Sequence, residues 1–491
     1  MTQITIPAFT ILNILLFIGT VALAVQAFIG LTFFISCIWE KEPRATVFAG
    51  LQLLGMLAVL VVYLILASSG FFKTGAGIAL LIAIYVIGIT ATIFIVRKAK
   101  PNSRALEGTP GFIVGEVNRF DERDQVFARN RALRPGSAEY KAYYEAHPNK
   151  ESIDAERRAK GGPMGHPGII DNPHGGPNVA ATLASLNMPH YLSTPEKVTP
   201  QAHFLLKGEK TDLSPEEATE RVKGYVKHLG ADMVGVTEIN SFWVYSHRGE
   251  IFHENWEDWG KEMKLDHKYA IVFAEEMSFE MVGPAPHTPT TMESMNNYAK
   301  GAYISTQLAA FIANLGYSAT ANHLRHYDAI LPPLAVDAGL GEMGRLGYLM
   351  TKEFGPRIRL SAVTTDLPLM TDKPIDIGAE DFCRICKKCA TCCPSNSIPM
   401  EDFEEVNGSL RWKLNDETCF HYWGKIGTDC CICMKVCPWS HARTFPHKVI
   451  VWFITRNAFS RRIFSIMDDI FYGKRPKPKV APKWAWFIGW S

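Results

Sequence analysis

Ten of the eleven cysteines lie between Cys383 and Cys437, at spacings that suit iron–sulfur ligation. The first run is Cys383-x2-Cys386-x2-Cys389-x3-Cys393-Pro394; the second, Cys430-x2-Cys433-x3-Cys437-Pro438, repeats its last three ligand positions. In bacterial two-cluster proteins the fourth cysteine of each run ligates the other cluster. One [4Fe–4S] cluster is therefore expected on Cys383, Cys386, Cys389 and Cys437. The other draws on Cys393, Cys430 and Cys433 and lacks a ligand, because Gly427 stands where a complete second run needs a cysteine. Cys419 is assigned that vacancy, since the chain between it and the run is long enough to fold back. Its competitor, Cys431, adjoins a ligand and would have to point the opposite way, which leaves Cys392 and Cys431 as spare thiols. The chemistry of such a region is one-electron transfer.

Two other uses of cysteine fit less well. Disulfide frameworks belong to small secreted domains, not to a 491-residue chain with thiols at gaps of two and three. Structural zinc favours paired C-x2-C knuckles rather than a C-x2-C-x2-C-x3-C-P run. A ferredoxin domain with two [4Fe–4S] clusters is the reading the spacing supports.

A net charge of +2 gives no reason to expect a nucleic-acid partner. The apolar residues are segregated: no Asp, Glu, Lys or Arg occurs in 1–39, 45–72 or 74–96. Each stretch exceeds the ~20 residues that cross a bilayer as a helix. The N-terminus has no basic residue before Lys41 and no twin-arginine pair, so a cleaved signal is not expected. Lys41 and Arg44 follow the first span and Arg97, Lys98, Lys100 and Arg104 the third, against Lys73 alone on the other side. The positive-inside rule then places everything after Val96 in the cytoplasm, in a multi-pass protein of the inner (cytoplasmic) membrane.

Residues 97–200 read as a loop-rich extension, with Asp121-Glu122-Arg123-Asp124 as a solvated charged face. From 201 to 375 helices and strands alternate, which predicts a layered α/β domain. Ser214-Pro215-Glu216-Glu217 predicts a capping box opening a helix that ends at Gly230. Strands are expected at 231–239, 269–273 and 357–365, and a helix at 297–315. Gly339-x-Gly341-x-x-Gly344 has dinucleotide-fingerprint spacing, but Pro332-Pro333 stands where the preceding strand belongs. A tight glycine turn near a cofactor is the better reading. Residues 376–445 form the ferredoxin domain and 446–491 an aromatic, basic tail whose last dozen residues are expected to touch membrane lipid.

The chain resembles the cobalamin-dependent reductive dehalogenases, in their membrane-integral branch, from about Gly111 onward. The resemblance rests on Arg119-Phe120-Asp121-Glu122, Gly230-Ala231-Asp232, the segment Leu308-Ala309-Ala310-Phe311-Ile312 and the segment Ala338–Arg345. It also covers Thr365-Asp366-Leu367-Pro368, both cysteine runs and Val436-Cys437-Pro438-Trp439-Ser440. The detached Cys419 and the following Cys-Pro-Trp are shared with epoxyqueuosine reductase, a soluble relative of that family. The resemblance implies a nitroreductase-like α/β domain holding base-off cobalamin beside the ferredoxin domain. It further implies that a small organohalide loses halide with two electrons and one proton consumed.

The family places a proton-donating tyrosine before the Leu-Ala-x-Phe-Ile stretch, which corresponds to Tyr298, with Tyr303 as its rival. A cation beside it would hold the phenolate; Arg357 is assigned this role, with Arg359 and Lys300 as alternatives. Asn322 is expected to orient substrate, and His323 is equally suited to that or to a place beside the corrinoid, with Gly339, Gly341 and Gly344. The electron donor is a quinol, a ferredoxin or a flavoprotein. Two rival functions remain: an epoxyqueuosine-type corrinoid reduction, and a membrane ferredoxin acting as an electron conduit without catalysis.

Overall fold

The structure, a computed structural model, describes residues 8–161, 176–192, 210–250, 256–324 and 326–485. It divides into two compact units, Met1–Lys100 with Ala442–Pro476 and Pro101–His441 with Lys477–Ser491.

In the first unit, helices α1 (Ala8–Trp39), α2 (Pro43–Ser68) and α3 (Gly75–Val96) run for 32, 26 and 22 residues. All three are long and apolar enough to cross a membrane. Pro43 opens α2, and the Thr74 hydroxyl caps α3 by accepting from the Gly77 amide at 3.1 Å. Gly19 lets α2 approach α1: a Cβ there would lie 2.2 Å from the Tyr63 hydroxyl, which donates to the Leu16 carbonyl at 3.2 Å. Helices Phe445–Arg456 and Ala458–Phe471 belong to this unit rather than to a separate tail. Phe471 and Met467 pack on Ala45, Ala49 and Phe48, so the apolar face of the last helix is used within the unit. Asn457 ties the two helices to the end of α3, donating to the carbonyls of Phe94 (2.6 Å) and Arg97 (2.5 Å) while its oxygen caps Ser460. Of the last dozen residues, expected to touch the membrane, 486–491 lie outside the described residues, while Ala481 and Ala485 pack on Met281 and Met292.

The second unit is built on a four-stranded sheet of order β1-β2-β6-β3: β1 (Met233–Glu238), β2 (Tyr269–Glu276), β3 (Ala319–Asn322) and β6 (Ile358–Thr365). The alternating chain does form layers, but all three pairings are antiparallel. Strands β4 (Glu342–Met343) and β5 (Leu349–Met350) make a separate hairpin. Helix α4 (Pro215–His228) begins with the expected capping box. With α5 (Thr288–Asn314) it covers one face of the sheet through Val222, Val226, Ile304, Leu308 and Ile312 against Ile271, Phe273 and Val363. Helix Leu331–Asp337 covers the other face, against Ala270, Val272, Ala274 and Ala362. Leu308 is 0% exposed in this core, so Leu308→Ala should cost about 2–5 kcal/mol. The check is a lower denaturation midpoint; an unchanged midpoint would mean that α5 is held by something other than this core.

Helix α5 starts nine residues before the expected Asn297, and Tyr298 is therefore mid-helix. Its first turns bury Thr288, Thr290, Thr291, Glu293 and Ser294, polar side chains that leave no apolar periodicity to read. The same cause hid helices Val126–Ala132, Ala138–Ala146 and Pro148–Ala159 inside the supposedly loop-rich extension. There the buried Arg129 and Arg157 both grip Asp154, at 2.9 and 2.6 Å, and both also pair with Glu417.

Glu122 is likewise not on a solvated face: it is fully buried and accepts from the amides of Gly249 (2.9 Å) and Glu250 (3.1 Å). Burial outweighs Arg248, 3.7 Å away, and those donors, pushing its carboxyl up to about 7. A carboxyl with a raised folded-state pKa adds stability at low pH that is lost as pH climbs through about 7. Melting temperature should accordingly fall between pH 5 and 8, and Glu122→Gln should flatten that slope; an unaltered slope would assign it to other groups.

Candidate active site

A mid-helix position on α5 aims Tyr298 towards β6, where Arg359 lies over its ring with the guanidinium carbon 5.2 Å from the centroid. Arg359 is fixed from two sides: it donates to the Ser294 hydroxyl at 2.8 Å and lies 3.6 Å from an Asp429 carboxylate oxygen. Asp429 also accepts from Ser294 and, at 2.9 Å, from Thr291, which ties the cysteine-rich segment to α5. Burial pushes the Tyr298 hydroxyl up and Arg359 pulls it down, the first effect being the larger. The phenol thus stays protonated through neutral pH.

Tyr298, Tyr327 and Tyr348 each keep part of their surface accessible although their hydroxyls are strongly desolvated. Tyr348 lines a cavity together with Cys393, Cys419, Cys430, Cys433 and Asp429. Tyr327 is pushed well up by burial, with Tyr298, Glu250 and Tyr245 adding to the effect, so these groups share one neighbourhood. Arg359 Nε is buried there with no hydrogen-bond partner among the described residues.

Of the residues singled out in the sequence, several do other work. Arg357, assigned as the cation, instead donates to the carbonyls of Ser440 (2.8 Å) and Met277 and pairs with Glu276 at 2.9 Å. It is 1% exposed, and its guanidinium is committed to joining chain segments while Arg359 takes the place over Tyr298. Tyr303 is 47% exposed, whereas Tyr298 faces Arg359. Asn322 is fully buried and accepts from the Asp328 amide at 2.7 Å, shaping the turn that carries Tyr327; His323 is in that turn, its backbone bridged to His326.

The three glycines offer no open cradle. A Cβ would lie 2.5 Å from the Lys373 carbonyl at Gly339, 2.1 Å from the Met350 carbonyl at Gly341 and 2.5 Å from Met350 Cγ at Gly344. Glycine is needed for close packing of the β4–β5 hairpin, whose turn ends on Tyr348. Tyr245, Tyr327, Tyr348 and Asp429 carried no local signal, apart from the glycine run that precedes Tyr348.

The thiols gather in two groups. Cys383, Cys386, Cys389 and Cys437 are near enough for their charges to act on one another, as are Cys393, Cys419, Cys430 and Cys433. Burial pushes the Cys383 and Cys430 thiols up to about 12. Burial also pushes Cys393 up, but donors from Ser395, Ser397 and Ile398 together hold it below the usual range, the Ser397 amide at 3.3 Å. Two groups of four buried or half-buried thiols, with amide donors to sulfur, fit two cubane clusters. The Cys431 sulfur is 4.0 Å from the Ser294 hydroxyl and near Arg359, and its charge also acts on Cys433. The second group is also the one that shares a cavity with Tyr348, on which Cys433, Cys419 and Cys431 all act.

No family model matches the chain. It is 33% identical over 279 residues to a tetrachloroethene reductive dehalogenase of Dehalobacter restrictus, covering 48% of this chain and 50% of that protein. The chain thus spans about half the length of the curated relatives it matches. Among solved structures it is similar to the catabolic reductive dehalogenase NpRdhA in complex with 3-bromo-4-hydroxybenzoic acid. The TM-score there is 0.59 at 27% identity, over 80% of this chain and 50% of that one. A reductive dehalogenase structure interpreted as supporting B12-dependent dehalogenation gives a TM-score of 0.59 at 26% identity, over the same shares.

Proposed function

We propose that this protein is a membrane-integral corrinoid iron–sulfur reductase that removes halogen from a small organohalide. The observation that carries the reading is Tyr298 held under Arg359, which Asp429 links to the cavity lined by Tyr348 and the second thiol group. The overall reaction takes the organohalide, two electrons and one proton to the hydrogen-substituted product and halide.

Cobalamin, when bound, supplies the redox centre at which a carbon–halogen bond is cleaved. Tyr298, Tyr327 and Tyr348, partly exposed and mostly apolar, would hold its broad ring. Cys383, Cys386, Cys389 and Cys437 would hold one [4Fe–4S] cluster, and Cys393, Cys419, Cys430 and Cys433 the other. Tyr298 donates the proton from its hydroxyl, and Arg359 stabilises the phenolate that remains. Asp429 and Ser294 keep Arg359 in place. Tyr327 and Tyr348 narrow the cleft and limit water near the reacting carbon. Three apolar helices anchor the chain in the inner membrane, with the second unit in the cytoplasm, where a quinol, ferredoxin or flavoprotein supplies electrons.

The test is anaerobic purification in detergent with cobalamin present, followed by cobalt and iron quantitation, EPR and halide release from halogenated substrates. One cobalt and about eight irons per chain are expected. Iron without cobalt would favour an electron conduit and sink the dehalogenase reading.

A further inference from the structure

The two thiol groups face different charges. Arg345 is 1% exposed and packs against the first group, donating from Nε to the Cys383 carbonyl at 3.0 Å. Its other donors go to the carbonyls of Pro399 (2.8 Å) and Glu401, and its guanidinium lies 4.7 Å from the Trp412 ring centroid. Cys383, Cys386 and Cys389 all act on it electrostatically. Every contact is to neutral groups or to these thiols, and no carboxylate pairs with Arg345 among the described residues. Of the nearby acids, Glu342 acts on Cys383, although burial pushes its carboxyl up to about 7. Glu342 takes the amides of Ile377, Ala379 and Glu380, and Glu380 and Asp402 hold Arg384. Beside the second group the charges come as a pair, Arg359 and Asp429, 3.6 Å apart, which cancel to first order.

We propose that Arg345 makes the cluster on Cys383, Cys386, Cys389 and Cys437 the more easily reduced of the two, so that it stores the first electron while the other cluster faces the Tyr298 cleft. This rests on the reading of both thiol groups as [4Fe–4S] sites. Reduction adds one electron and no proton, so the cluster gains a negative charge. A fixed, desolvated and uncompensated cation favours that more negative state. The cluster nearer the cleft lacks such a cation and is left the stronger reductant. An electron therefore rests on the first cluster until a second arrives, and the two reach the cleft in quick succession. Arg345 acts through the cluster and is a positioning residue for charge, not a catalytic one.

The experiment is an EPR-monitored redox titration of the full chain in detergent, poised with dithionite, for the parent protein, Arg345→Gln, Arg345→Lys and Cys419→Ser. Two reduction waves are expected in the parent. Arg345→Gln should move the higher-potential wave to more negative values and leave the lower one in place. Arg345→Lys, which keeps the charge, should restore most of the shift. Cys419→Ser should lose the lower wave and so identify the higher one as that of the first group. Equal waves in the parent, or a full complement of iron with both waves unmoved in Arg345→Gln, would overturn the inference alone. Iron well short of two clusters in the parent would instead remove the reading beneath it.

Discussion

Tyr298→Phe is expected to lower halide release by ~10²–10⁴-fold, the range over which a positioned acid acts in proton transfer. The substitution removes one oxygen and keeps the ring on which Arg359 lies at 5.2 Å, so cleft shape, KM and cofactor content should hardly change. Tyr303→Phe serves as the control, because its ring is 47% exposed and changing it should leave the rate near that of the parent. The pH profile adds a second readout. Burial raises the Tyr298 hydroxyl above its ordinary value of 10.0, so the alkaline limb should lie above that pH. Arg359 is what lowers it; Arg359→Gln should move the limb further up while slowing turnover at neutral pH. If Tyr298→Phe stayed within a few-fold of the parent, another group must supply the proton.

Cys419→Ser should halve the bound iron, from about eight to about four per chain, and abolish turnover. The thiol is within range of Cys393 and Cys430, and a serine oxygen is a poor substitute for a thiolate in a cubane site. Cys431→Ser should keep all the iron. Its sulfur is directed towards Ser294 and Arg359, so any loss should appear in rate rather than in cluster content. Full iron in Cys419→Ser together with depletion in Cys431→Ser would reverse the ligand assignment. The comparison therefore decides between two cysteines that spacing alone left in competition.

How legible each part was depended on whether its residues lie close together in the chain. Spacing of cysteines is a local property, and three membrane spans follow from unbroken apolar runs. The capping box of α4 is equally local, and the structure has it at Ser214 and Glu217. Where burial is polar, the pattern failed. The first turns of α5 carry Thr290, Thr291 and Ser294 inward, and Glu122 looked like one charge among several although it is wholly enclosed.

The choice between Arg357 and Arg359 shows the same limit at the site. They are two residues apart and chemically identical, and only the packing of β6 beside α5 and the Asp429 segment gives one of them to Tyr298. The other is taken by carbonyls of Ser440 and Met277, 83 and 80 residues away along the chain. The glycine run suggests a tight turn near a cofactor, while the backbone and side chains packed beside each glycine are ones that only folding brings there. By itself, then, the sequence determined the apolar helices, the ligand-type thiols and the start of α4, because each is written within one or two turns of chain. The tertiary structure alone decided which tyrosine meets which cation and which arginine packs against the first thiol group, because those depend on contacts between distant segments.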